Sequence, residues 1–184
     1  DKIQSFRFVR NFFAHKNLRR AYYLNLMLQL FYSVMVIYTP IYLSVHMGMS
    51  WQEVGIIFAV MLTPFSLLPF LEGTYSDKVG ERKMLMSGFL IAGAATIAIF
   101  FIQTPEIWVW ALALFMTRVG AATIETMSDA YFFKHITPEN EEWVGVYRSA
   151  PGVAYIIGPL AALVIFALVP SFNYIFLVLG ALML

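Results

Sequence analysis

Apolar positions run along the chain in six blocks, at 21–46, 53–71, 84–102, 107–133, 143–168 and 173–184, with short polar breaks between them. The blocks do not alternate and exceed the roughly 10 residues of a membrane strand. The first five reach about the 20 residues that a helix needs to cross the hydrocarbon core. The pattern predicts membrane-spanning helices, with the sixth too short to cross and cut off within its span. The breaks carry helix-start chemistry. Ser50 and Glu53 form a capping-box pattern before the second block. Thr104, Pro105 and Glu106, and again Thr137, Pro138 and Glu139, each place an N-cap, a proline for the first helical position and an early acid. They are expected to open the fourth and fifth helices. The break at 103–106 is so short that the third and fourth helices should be antiparallel neighbours.

Composition sharpens the class. Of 184 residues, 60% are hydrophobic and 12% charged, against about 25% charged in an ordinary soluble domain. A water-soluble fold of this size cannot hide so much apolar surface. The net charge of +1 gives no bulk attraction for nucleic acid, and the absence of cysteine excludes disulfides and thiolate chemistry. The histidines His15, His46 and His135 are scattered, so no metal site or cofactor is expected. The chain begins at Asp1 and stops inside an apolar block, which reads as a piece of something longer.

The placement of charge gives orientation. Lys2, Arg7, Arg10, Lys16, Arg19 and Arg20 precede the first block, Lys78, Arg82 and Lys83 lie between the second and third, and Lys134 and Arg148 flank the fourth connection. If the helices alternate in direction, every Lys and Arg except Arg118 falls on one side, which the positive-inside rule makes cytoplasmic. Trp51, Trp108, Trp110 and Trp143 sit near block ends, as an interfacial aromatic belt requires. Residues 1–20 mix Ile3, Phe6, Phe8, Val9, Phe12 and Phe13 with bases. They read as a basic amphipathic flank or linker on the cytoplasmic membrane surface, distinct from the bundle at 21–184.

The stretch Gly73 to Lys83 joins two helices with a tight, charged turn. Gly80 would permit a positive φ there. Taken alone, this is a solvated basic loop. However, Gly73, Asp77, Lys78, Gly80 and Arg82 also match the signature G-x-L-A-D-[RK]-x-G-[RK]-[RK], with Tyr75 in place of leucine and Glu81 in place of a base. The sequence in this respect resembles the major facilitator superfamily of secondary transporters. Arg118 followed by small residues, then Asp129 and Thr137-Pro138-Glu139, agrees with that resemblance, as does Gly158-Pro159 in the fifth helix. Ala161 and Ala162 depart from the family's antiporter pattern. The resemblance implies an all-α membrane protein in which this chain supplies one six-helix half, preferably the C-terminal one. A second half, the lipid bilayer and a small-molecule substrate, with protons as a further partner, would complete the system. The same resemblance implies that the loop motif governs conformational change, with Asp129 near Arg82.

The remaining polar groups lie inside the apolar blocks. A charge at a helix centre costs about 2.5–3.5 kcal/mol on insertion scales, so it needs a partner, a cavity or a function. Arg118, Glu125 and Asp129 are spaced by seven and four and share one helix face. Arg118 suits an anionic substrate group or a carboxylate on another helix. Glu125, the deeper acid, is the candidate proton carrier, since close like charges and desolvation both disfavour two ionised carboxylates. A purely structural ion network is the competing reading. Asn25, Gln29 and Ser33 form a polar stripe for either a cavity wall or a hydrogen-bonded helix seam. Pro40, Pro64, Pro69 and Pro159 are places for a kink, and Gly158 and Pro159 serve packing or gating. No nucleophile–base set points to an enzyme. The expected function is small-molecule transport by alternating access in the cell membrane (the inner membrane of a bacterial cell), with a non-transporting scaffold or sensor of the same fold as the alternative.

Overall fold

The computed structural model describes the backbone of residues 2–137 and 140–184, and the side chains within these ranges outside 2–7 and 69–78. The elements are α1 (Lys2–Ala14), α2 (Lys16–Ile41) running into a π-helical turn (Tyr42–His46), α3 (Trp51–Val79), α4 (Glu81–Phe100), α5 (Ile107–Phe133), the short α6 (Trp143–Tyr147), α7 (Ala150–Leu168) and α8 (Tyr174–Met183). No strand occurs among the described residues. Five stretches are long and apolar enough to cross a membrane: Lys16–His46, Trp51–Leu68, Glu81–Phe100, Ile107–Phe133 and Trp143–Leu168. The sixth block forms α8, a shorter apolar helix of 10 residues.

Helices suit this sequence because a helix satisfies its own backbone donors and acceptors, which lipid cannot. Their outward faces carry large apolar side chains, such as Leu90, Leu112 and Leu163, each more than 60% exposed. That is the surface a hydrocarbon solvent favours. α5 is the central helix, packed against α2, α3 and α4, while α2 also packs on α7, and α4 on α8. Small residues set the closest of these contacts. A Cβ on Gly120 of α5 would fall against the Ala92 amide nitrogen and the Gly88 carbonyl oxygen of α4, so only glycine permits this approach. On the other side of the bundle, a Cβ on Gly158 of α7 would strike Ser33 Oγ of α2.

Several boundaries follow their local chemistry. The Ser50–Glu53 capping box is reciprocal: the Ser50 amide and hydroxyl donate to Glu53 Oε2 at 2.7 and 2.8 Å, and the Glu53 amide donates back to Ser50 Oγ at 3.3 Å. Gly80 separates α3 from α4 with φ of 92°, a conformation that costs a residue with Cβ dearly. Pro40 lies inside α2 and has no N–H for the preceding turn; two residues later the helix widens into the π turn.

Other boundaries differ from expectation. α5 starts at Ile107 with Glu106 as N-cap, two residues later than Thr104 would place it, and Thr104 instead gives its carbonyl to the Trp110 indole N–H at 2.8 Å. The fifth span is broken into α6 and α7 around Arg148 and Ser149, with Pro151 in the first turn of α7. Pro138 and Glu139 of the expected helix start lie outside the described residues. The first long helix begins at Lys16, so Lys16, Arg19 and Arg20 ride on its opening turns. Ahead of it, α1 folds back onto the bundle: Phe12 is fully buried and meets Phe13, Tyr22 and Trp143 edge-on.

The tryptophans divide. Trp51 and Trp108 are 66% and 72% exposed at helix starts, where a belt needs them. Trp110 and Trp143 are buried instead, Trp110 by the Thr104 hydrogen bond and the Tyr42 ring, and Trp143 under α1 against Phe12 and His15. Proximity to a helix end does not decide which face a ring occupies.

Candidate functional site

The polar groups inside the bundle gather where α2, α3, α5 and α6 meet. Arg118 sits on the inward face of α5 with only 2% of its surface exposed. Its guanidinium carbon lies 4.9 Å from the centre of the Tyr32 ring on α2 and 5.8 Å from that of Phe65 on α3. It forms no ion pair with a described acid. The two ring faces are worth about 2 kcal/mol each when desolvated, the same order as the roughly 2.5–3.5 kcal/mol cost of a charge at this depth. The clamp therefore makes the cation tolerable. It leaves hydrogen-bonding capacity unspent, because Arg118 Nε is buried without a partner among the described residues.

Two turns along α5, Glu125 Oε2 accepts a hydrogen bond from the Tyr32 hydroxyl at 3.0 Å. Tyr32 thus touches both the cation and the acid, which are too far apart to meet directly. One turn further, Asp129 Oδ1 accepts from the Tyr147 hydroxyl of α6 at 2.7 Å. The Tyr147 ring is held flat on Phe132, with centroids 3.9 Å apart and 10° between planes. Its carbonyl accepts from Asn25 Nδ2 at 3.4 Å, and Asn25 Oδ1 accepts from Gln29 Nε2 at 3.3 Å. The polar stripe of α2, the acid pair of α5 and the start of the fifth span therefore form one connected region.

Two cavities open on it. One of about 340 Å³ is lined by Phe65, Ala122, Glu125, Thr126 and Asp129. The other, of about 190 Å³, is lined by Asn25, Gln29, Glu125, Asp129, Phe133, Tyr147, Arg148 and Pro151. Both share the Glu125–Asp129 edge of α5, and the Phe65 wall of the larger one also covers Arg118. Of the α2 stripe, Asn25 and Gln29 reach a cavity. Ser33 is buried in the α2–α7 contact opposite Gly158, and its hydroxyl donates to the Leu30 carbonyl at 2.9 Å. Among the described residues, no group of three or more His, Cys, Asp or Glu side chains is placed to hold a metal ion.

Comparison with known proteins places the sequence in a family. The Major Facilitator Superfamily family model matches residues 21–184. The chain belongs to the Major Facilitator Superfamily. It is an integral membrane protein from a family of transporters that move small molecules across the bilayer. A curated relative, the probable sulfoacetate transporter SauU of Cupriavidus necator, is 28% identical over 136 residues, which is 73% of this chain and 31% of that protein. The chain thus covers about a third of the relative it matches.

The loop motif that carries the superfamily resemblance is only partly described. The side chains of Gly73, Asp77 and Lys78 lie outside the described residues. Gly80 makes the turn, and Arg82 is exposed and forms no ion pair with a described acid. The acid expected near Arg82, Asp129, is taken by Tyr147 instead. The ion pair in this region joins Glu81, the acid that replaces a signature base, to Lys134 at the far end of α5, with Nζ to Oε1 at 3.2 Å. It ties the first turn of α4 to the residue that caps α5.

Tyr32, Phe65 and Tyr147 do not stand out in the sequence. Each is one aromatic among many in a chain that is 17% aromatic. Tyr32 had one signal: it lies next to Ser33 in the otherwise apolar first block, and a buried phenol needs a hydrogen-bond partner. Tyr155 on α7 is a second phenol within electrostatic reach of Arg118.

Proposed function

We propose that this chain is one six-helix half of a secondary transporter that carries a small organic anion by alternating access, using proton movement at Glu125. The observation that carries the reading is Arg118: a buried cation without an acid partner, clamped by Tyr32 and Phe65 beside an acid pair that lines two cavities. A structural ion pair would have brought a carboxylate to it. An anionic substrate group supplies that carboxylate, or its equivalent, from outside. The relative, a probable sulfoacetate transporter, supports the same class of cargo, since sulfoacetate carries a sulfonate and a carboxylate. The other half of the transporter lines the opposite side of the pathway, and substrate binds between the two near the midplane.

In this reading the end of the bundle that bears Arg10, Lys16, Arg19, Arg20, Arg82, Lys83, Lys134 and Arg148 faces the cytoplasm, and the membrane is the cell membrane. Residues 1–20 form its basic, membrane-surface flank. The loop from Gly73 to Arg82, with Asp77 and Lys78, acts in the conformational change, and Gly158 with Pro159 lets α7 pack and bend against α2. Asn25, Gln29 and Asp129 line the entry from the cytoplasmic side.

The test is uptake by the full-length protein in proteoliposomes. Sulfoacetate and a panel of small carboxylates and sulfonates are offered with and without an imposed pH gradient. Uptake of at least one anion, lost in Arg118→Gln, is expected. No transport of any panel member would refute the reading and favour a scaffold that keeps the fold without the activity.

A further inference from the structure

We propose that Tyr32 is the positioning residue that couples a proton at Glu125 to an anion at Arg118. The inference rests on the anion-transport reading above and names the device within that site. Tyr32 is buried; its hydroxyl donates to Glu125 Oε2 at 3.0 Å, and its oxygen is within hydrogen-bonding reach of Arg118. Its ring stands 4.9 Å from the Arg118 guanidinium and edge-on to Phe65, with centroids 5.8 Å apart. While Glu125 is a carboxylate, the phenol must donate to it, which fixes the ring over the cation. Once Glu125 holds a proton, it no longer needs that donor, and the Tyr32 hydroxyl is free to turn towards an anion at Arg118. Conversely, an anion at Arg118 competes for the phenolic proton and adds a negative charge near Glu125. Each event eases the other, and the coupling is reciprocal.

The surroundings leave Tyr32 as the link. The charged and titratable groups that face Glu125 are Tyr32 from α2, Arg118 and Asp129 from its own helix, and Tyr147 from α6 with Arg148 beside it. α3 presents Phe65, and α7 presents Tyr155 towards Arg118. Asp129 is engaged by Tyr147. Tyr32 alone among these touches both the cation and Glu125. Arg118 Nε is buried without a hydrogen-bond partner among the described residues, so this cation keeps donor capacity beside the acid pair.

The experiment measures anion affinity against pH in the full-length protein, with sulfoacetate as first probe and the carboxylate and sulfonate panel behind it. In the unaltered protein, affinity rises as pH falls, by about tenfold, inside the 5–150-fold span usual for coupled sites. Tyr32→Phe keeps the ring on Arg118 and removes the hydroxyl, so the pH dependence flattens to within about twofold of a constant. Glu125→Gln, which removes the titrating group and does not depend on Tyr32→Phe folding, flattens it too, and adding Tyr32→Phe to it changes affinity little further. A Tyr32→Phe protein that keeps the full pH dependence, or a Glu125→Gln protein that does, overturns the coupling while leaving anion transport intact. Anion binding that does not depend on Arg118, or no binding across the panel, overturns the transport reading and the coupling with it.

Discussion

Gly120 sets how close α5 lies to α4, and its replacement by alanine gives a sharp test of the packing. The added Cβ would overlap the Ala92 amide nitrogen and the Gly88 carbonyl oxygen, with Ala92 Cα at 2.9 Å. These are backbone atoms of a neighbouring helix, so no rotamer change relieves the clash and the helices must part. Overpacking a core costs about 1–3 kcal/mol, and the upper end applies because nothing flexible can give way. Alanine recovers at most about 1 kcal/mol through its better helix propensity, so the net change is destabilising by about 2 kcal/mol, a factor of roughly 30 in the folded population. Gly55 of α3 is the internal control: a Cβ there meets nothing within 4 Å, so Gly55→Ala should be neutral or stabilising by up to about 1 kcal/mol. Thermal unfolding of both variants of the full-length protein in detergent reads the difference. Equal melting temperatures for Gly120→Ala and Gly55→Ala would falsify the argument that this contact sets the spacing. Because Arg118 lies two residues away on the opposite face of α5, Gly120→Ala should also loosen the Tyr32–Phe65 clamp and weaken anion affinity.

Three further outcomes are expected. Glu125→Gln should lose uptake driven by a pH gradient at least about tenfold more than it loses substrate exchange; equal losses would assign Glu125 a structural role. Trp110→Phe removes the indole donor to Thr104 and should cost about 1 kcal/mol, whereas Trp110→Ala, which empties a fully buried site, should cost about 3–5 kcal/mol. A thermal scan that ranks the two alike would mean the ring is not packed as described. Lys134→Ala breaks an exposed ion pair with Glu81, so it should shift stability by no more than about 1 kcal/mol and less at high salt; a larger loss would reveal a network beyond this pair.

Much of the architecture was readable because membrane insertion is a nearly local decision. A block such as 107–133 is helical and embedded on the strength of its own composition, and it became α5 with the same limits. The Ser50–Glu53 cap was readable for the same reason, since its partners are three residues apart. Other features depend on which way a side chain turns or on a partner distant in sequence. Thr104 has the chemistry of a helix cap, yet its carbonyl serves the Trp110 indole once that ring turns inward. Trp143 lies at a block end, where a belt is expected, yet α1 covers it. Glu81 was a departure from a signature until Lys134, 53 positions away, came beside it.

The membrane class, five of the apolar helices and, through the loop motif, the family are legible in the sequence alone. It also exposed Arg118, Glu125 and Asp129, because a charge in an apolar block stands out wherever it points. Only the tertiary structure decided what those groups touch. Helix rotation and spacing depend on close contacts such as the backbone of Gly88 and Ala92 against Gly120, and the Ser33 side chain against Gly158. The packing of α2 and α3 on α5 brings Tyr32 and Phe65, out of 10 tyrosines and 17 phenylalanines, to the buried cation.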